Sequence, residues 1–203
     1  MSVSDEYLQA DEVIDWQHSL VLERARSLAR GRDGVEAIAN ACFEWVRDEV
    51  KHSSDYQLNL VTCSASEVLK HGTGYCYAKS HLLAALLRAN GIPAGLCYQR
   101  LSVFDDGAPY CLHGLNAVYL PKWGWYRVDA RGQRSGVDAR FAPPDEHLAY
   151  CPKLSGEADF DPIFSAPLAI VVEVLRSHQT WDSLRENLPD VRLEEGDRAL
   201  PAS

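Results

Sequence analysis

Cys76 is the residue best placed for chemistry in this sequence. It stands in HGTGYCYAKSHLLAALLRANGIP (residues 71–93), after the Gly72-Thr73-Gly74 turn and before a run that is apolar almost all round. That run predicts a buried helix, stopped sharply by Asn90-Gly91 and Pro93. A helix start leaves N–H groups unpaired and carries roughly half a positive charge. A thiol in the first turn therefore has its thiolate, the nucleophilic form, stabilised. Gly72 and Gly74 allow a sharp backbone turn, and the N–H of Cys76 is a ready donor to an oxyanion formed in acyl transfer. The same glycine-x-cysteine pattern also serves plain packing, with Tyr75 and Tyr77 anchoring the turn in the core.

A cysteine nucleophile needs a base within hydrogen-bond reach, and the base needs an orienting group. His113 fits the first need. It lies in CLHGLNAVYL, where a regular strand puts His113, Leu115, Ala117 and Tyr119 on one face. Asp129 fits the second. It closes a short strand in GWYRVDARG that follows after one turn, so its carboxylate can accept from one ring nitrogen and fix the tautomer. Each residue alone has a plainer reading: a core cysteine, a satisfied histidine, a strand-end aspartate. The order Cys, His, Asp, on a helix, a strand and the neighbouring strand, is what points to catalysis.

The elements that must carry these groups read as follows. Asp15 to Ala29 and Val35 to Val50 have apolar residues at helical spacing; in the second, Ile38, Cys42, Trp45 and Val46 form one stripe. GRDG between them supplies a glycine stop and an aspartate, Asp33, able to cap the second helix. HSSDYQLNLVTC reads as an irregular connector. Ser64 and Glu67 then have capping-box spacing, predicting a short helix through Leu69. After Pro93 the period changes: Ala94 to Phe104, Leu112 to Leu120 and Gly124 to Ala130 predict three antiparallel strands in a meander. PLAIVVEVLRSHQ and TWDSLRENLP read as two helices, and DVRLEEGDRALPAS as a frayed end. Helices first and strands later make an α+β fold.

At 203 residues the chain suits one domain, residues 1–203, with a catalytic core at about residues 33–150 and a helical extension at about 165–190. A net charge of -9 argues against nucleic acid and anionic membrane as partners, because phosphate contacts need clustered cations. The acidic N-terminus lacks the apolar region of a secretory signal, so the expected compartment is the cytoplasm. Six cysteines are spread widely with no CxxC pair, so a structural zinc site lacks its usual signature. The five besides Cys76 read as reduced, buried hydrophobes.

GTGYCYAKSHLLAALLRANGIPAG, LHGLNAVYL and GWYRVDA, in that order, resemble the core of the transglutaminase-like superfamily, a branch of the papain-like cysteine enzymes. The match runs from Ser64 to Ala130, and FEWVRDEVKHSSD upstream is similar to the family's lead-in helix. The resemblance implies a nucleophile at the start of a buried central helix packed on an antiparallel sheet. It implies Cys76 as nucleophile, His113 as general base and acid, Asp129 as orienter, and a thioester intermediate, with no cofactor and no metal. A second oxyanion donor is expected before the cysteine, where Trp45, His52 and Tyr56 are open candidates. The chain lacks the flanking β-domains of calcium-dependent animal enzymes, the paired CxxC of peptide N-glycanases, the Arg-Gly-Gly-x-Cys of arylamine acetyltransferases and the asparagine of papain. The expectation is thus a compact, stand-alone microbial protein of this kind. Its substrate would be a peptide, a protein or a small amide, with hydrolysis and transamidation both open. A non-catalytic binding module keeping the fold is the alternative. Oligomeric state is not legible.

Overall fold

Apolar stripes at helical spacing produce the first two helices, α1 (Ser19–Ala29) and α2 (Val35–Glu49), behind a 3-10 turn at Asp5–Leu8. The computed structural model describes residues 5–134 and 136–191. Helix α1 starts later than its periodicity predicts. Asp15 is used elsewhere, its carboxylate accepting from the Ser66 N–H, and the His18 side chain caps α1 instead. Asp33 likewise does not cap α2; the N-cap is Gly34, at φ +87°.

The connector after α2 is not wholly irregular. β1 (Lys51–His52) precedes α3 (Ala65–His71) and pairs in parallel with β2 (Thr73–Gly74), which leads directly into the Cys76 turn. The Ser64–Glu67 capping box forms as its spacing predicts, and α3 ends on Gly72 at φ +66°, a left-handed conformation favouring glycine. Gly74 serves packing instead: a Cβ there would lie 3.1 Å from that of Ala78.

Helix α4 (Cys76–Ala89) is the hub of the fold. Every residue from Cys76 to Arg88 is buried, and α1, α2 and α3 pack around it on the sides the sheet leaves free. Leu82, Leu83, Leu86 and Leu87 are all within the core; each fully buried leucine is worth roughly 1.5–3 kcal/mol. The same burial encloses Lys79, whose ammonium donates to the Val50 carbonyl and, at 3.4 Å, to that of Arg47. These carbonyls end α2, where the helix dipole is negative, so the lysine ties α2 to α4.

The meander forms as predicted from β3 (Ala94–Ser102), β4 (Tyr110–Leu120) and β5 (Gly124–Val128). A small hairpin follows, β6 (Arg140–Ala142) with β7 (Asp145–His147), and then β8 (Ala158–Asp159), which pairs with β3. The sheet order is β5-β4-β3-β8, all antiparallel. One face lies on α4, where Asn116 donates to the Ser80 carbonyl at 2.9 Å. A smaller cluster of Cys97, Leu115 and Ala117 covers the other face.

Both C-terminal helices appear, α5 (Ala169–Ser177) and α6 (Trp181–Glu186). The segment expected to fray is anchored where it begins: Asp190 forms a two-pronged ion pair with Arg100, and Val191 packs against the core. The rest of that expectation, residues 192–203, lies outside the described residues. Of the five cysteines read as buried, Cys42, Cys63 and Cys97 are so; Cys111 is half-buried and Cys151 exposed. No helix among the described residues is long and apolar enough to cross a membrane.

Candidate active site

Cys76 occupies the first position of α4, where N–H groups have no intrahelical partner. Tyr75, the N-cap, gives no side-chain cap. The turn before it is fixed by its neighbours: the Ser53 N–H donates to the Gly74 carbonyl at 3.1 Å, and the Thr62 hydroxyl to that of Thr73 at 2.8 Å.

A close approach of strand to helix brings in the histidine. Gly114, next to His113 on β4, lies so near the first turn of α4 that an added Cβ would stand 3.0 Å from Tyr77 Cδ1 and 3.1 Å from its Cα. The Tyr77 hydroxyl donates to the Leu112 carbonyl just upstream. We expect Gly114→Ala to push β4 away from α4, costing about 1–3 kcal/mol of stability by overpacking. Thermal melts and the rate of Cys76 alkylation, both lowered, check this.

Asp129 follows from strand register. β5 pairs with β4 only at Asn116–Leu120, with Asn116 opposite Val128. The next residue, Asp129, comes off the strand end toward the half of β4 that carries His113. His113 Nε2 donates to Asp129 Oδ2 at 2.7 Å. The backbone N–H groups of Arg131 (to Oδ1, 3.0 Å) and Ala149 (to Oδ2, 3.1 Å) complete the carboxylate's shell. The Tyr150 ring meets the imidazole edge-on at 4.9 Å.

The electrostatics follow from this packing. Burial alone would push the His113 imidazole down. The Asp129 carboxylate, then the adjoining Cys76 sulfur, and the hydrogen bond to Asp129 overcome it and hold the ring up at about 10. For Asp129, burial works against ionisation but is outweighed by His113 and the two backbone donors, so its carboxyl lies below the usual range. The structure thus brings all three sequence-predicted residues together: sulfur, imidazole and carboxylate are consecutive neighbours.

Of the three open candidates for an oxyanion donor, only His52 lies here. Trp45 is covered by the Arg24 guanidinium at 4.7 Å, and Tyr56 is 60% exposed beneath Lys51. His52 is buried, pairs in register with Gly74, and meets the Tyr75 ring at 5.4 Å. Its Nδ1 lies 3.8 Å from Asp55 Oδ1, near enough to attract but too far to hydrogen-bond, and has no hydrogen-bond partner among the described residues. Burial first, then the Arg131 cation, hold this imidazole well below the usual histidine range.

Sequence reasoning missed Arg131 and Asp55 as a unit. The Arg131 guanidinium grips Asp55 with two bonds of 2.6 and 2.8 Å while its backbone holds Asp129. The DAR triplet was visible, but its partner is 76 residues upstream. Access to the thiol is narrow, with Cys76 only 8% exposed and His113 5%.

Residues 23–130, just over half of the chain, match the profile of the transglutaminase-like superfamily. A protein of Cytophaga hutchinsonii, solved as a candidate cysteine protease, aligns with a TM-score of 0.51 at 21% identity, over 62% of this chain and 40% of its own. The periplasmic domain of TgpA from Pseudomonas aeruginosa aligns with a TM-score of 0.46 at 19% identity, over 64% and 48%. At 21% identity the likeness to the Cytophaga hutchinsonii protein is one of fold alone, and the chain spans less than half the length of either structure. No curated protein matches the sequence.

Proposed function

From the premise that this chain belongs to the transglutaminase-like superfamily, we propose that it is a cysteine-dependent acyl-transfer enzyme acting on amide bonds, with Cys76, His113 and Asp129 as its catalytic triad. The observation that carries the reading is the 2.7 Å bond from His113 to Asp129 on a ring whose other neighbour is the Cys76 sulfur.

In this reading an imidazole held up at about 10 keeps its proton at neutral pH and balances a Cys76 thiolate. The thiolate adds to the substrate carbonyl carbon, and the C=O electron pair moves onto oxygen. The unpaired N–H of Cys76 stabilises that oxyanion, with His52 beside it. Collapse breaks the C–N bond; the leaving amine takes the His113 proton, and a thioester remains on Cys76. Water, or an acceptor amine, then gives a proton to His113 as it attacks the thioester, and the second collapse restores the thiolate. Asp129 keeps the ring oriented throughout and stabilises its cationic form. Peptides, proteins and small amides all fit this chemistry as substrates. The free thiols support the cytoplasm as compartment.

Mass spectrometry after incubation with glutamine-bearing peptides and peptide esters tests the proposal. Expected is an acyl adduct on Cys76, absent in Cys76→Ala, with added primary amine diverting the product if transfer outcompetes hydrolysis. Alkylation of Cys76 by iodoacetamide should fall about tenfold or more in His113→Asn, because the reacting sulfur loses its cationic partner. No adduct, together with equal alkylation rates in wild type and His113→Asn, would end the reading.

A further inference from the structure

The half of β4 that carries His113 has an open edge. β3 flanks it on one side, but β5 pairs only from Asn116 onward, leaving Tyr110–Leu115 without a strand on the other among the described residues. The Leu112 N–H donates at 2.7 Å not to a strand but to the Pro189 carbonyl, in the extended chain after α6. One residue on, Asp190 takes the Arg100 guanidinium with both carboxylate oxygens, each at 2.6 Å. Arg100 is fixed by other contacts too. It donates to the Gly156 carbonyl at 2.7 Å and lies 4.0 Å over the Tyr110 ring. At the segment's other end the Tyr75 hydroxyl donates to the Trp181 carbonyl. The C-terminal segment is therefore bonded to the residue before Cys76 and to the residue before His113.

Those bonds use what any extended acidic peptide offers: a main-chain carbonyl for a strand edge and a carboxylate for a held arginine. Strand addition to an open edge is a general mode of peptide recognition, and a planar fork is the geometry by which arginine reads carboxylates. A groove of 730 Å³ lined by Arg100, Pro109, Tyr110, Gly156, Glu157 and Asp190 adjoins the ion pair, giving a longer peptide room to continue. We infer that Leu188–Val191 occupies the seat of an extended peptide substrate bearing an acidic side chain, so that the chain's own C-terminal segment competes with substrate beside Cys76. This rests on the acyl-transfer reading above and names the substrate class for it.

The test uses the full chain. Iodoacetamide alkylation of Cys76 is timed by peptide mapping in wild type, Asp190→Ala, Arg100→Gln and, as a remote control, Glu12→Ala, with thermal melts confirming that each is folded. Asp190→Ala should raise the Cys76 rate about fivefold, the worth of a partly exposed ion pair at its upper end, and Glu12→Ala should leave it unchanged. The capped pentapeptide Asn-Leu-Pro-Asp-Val, the sequence of residues 187–191, should slow Asp190→Ala back toward wild type. It should not slow Arg100→Gln, and a version with alanine for its aspartate should have no effect. Equal Cys76 rates in wild type and Asp190→Ala, or no protection of Asp190→Ala by the peptide, overturns the inference. If His113→Asn still slows Cys76 in that case, the acyl-transfer reading stands without it. A thiol exposed by Asp190→Ala but indifferent to His113→Asn, with no acyl adduct formed, overturns both.

Discussion

Asp129→Asn should lower amide turnover by about three to four orders of magnitude. Both carboxylate oxygens are acceptors in the native site, Oδ1 for the Arg131 N–H and Oδ2 for the Ala149 N–H and His113 Nε2. A carboxamide has one oxygen. Turned toward Arg131, it sets its NH₂ against the imidazole, which can bond only by presenting a lone pair there, the wrong tautomer for proton exchange with Cys76. Turned toward His113, it sets its NH₂ against the Arg131 N–H, donor facing donor. The imidazole also loses the carboxylate that, with the adjoining Cys76 sulfur, holds it at about 10, so burial pulls its pKa down. His113 contributes stability fully present below its unfolded value near 6.5 and lost as pH rises toward 10. Asp129 contributes stability present above its unfolded value and lost as pH falls through its lowered folded one. Their pairing therefore serves best from about pH 4 to 6.5. Titration of the ring proton by NMR and a turnover profile check this; an unchanged ring pKa in Asp129→Asn would contradict it.

The second large effect concerns Lys79. Burial, then the Arg131 cation, push its ammonium down to about 7 from 10.5. Stability held back by burying that charge is regained as pH rises from about 7 toward 10.5, since the unfolded chain binds the extra proton there. The His113 contribution falls over the same range, so the two slopes oppose each other and wild type should change little between pH 7 and 9. Lys79→Met keeps the volume but removes the compensating slope. It should lose about 2–3 kcal/mol more than wild type over those two pH units. It also leaves the Val50 and Arg47 carbonyls unpaired at the end of α2, a further cost of about 1–3 kcal/mol independent of pH. Urea unfolding at pH 7, 8 and 9 reads both terms; parallel curves for the two proteins would show that Lys79 does not titrate in this range.

Lys79 also shows where sequence reading stopped. One lysine inside CYAKSHLLAALL, on a helix buried all round, has to meet oxygen atoms, which sequence reasoning missed. Which oxygens it meets depends on α2 and α4 crossing, and crossing geometry is not written in either segment. Cys76, His113 and Asp129 were legible because each lies at a signalled boundary: a helix start, a strand face, a strand end. Asp55 with Arg131 and Pro189 with Leu112 were not, since each joins a loop residue to a partner far along the chain, and no local pattern names the pairing. The two-residue strands β1 and β2 were missed for lack of length. Asp33 read as the cap of α2, where Gly34 stands instead, and Asp15, the predicted start of α1, turns to the Ser66 N–H of α3.

That short parallel ladder shapes how such a protein can diversify. Lys51–His52 and Thr73–Gly74 are held in register by backbone bonds, so the loop between them is closed at its root. Residues lengthened or exchanged near Gln57, Asn59 and Leu60, which are exposed, would remodel the rim while His52 and Cys76 keep their spacing. A lineage could change what it admits by insertion at that bend without rebuilding the groups that react.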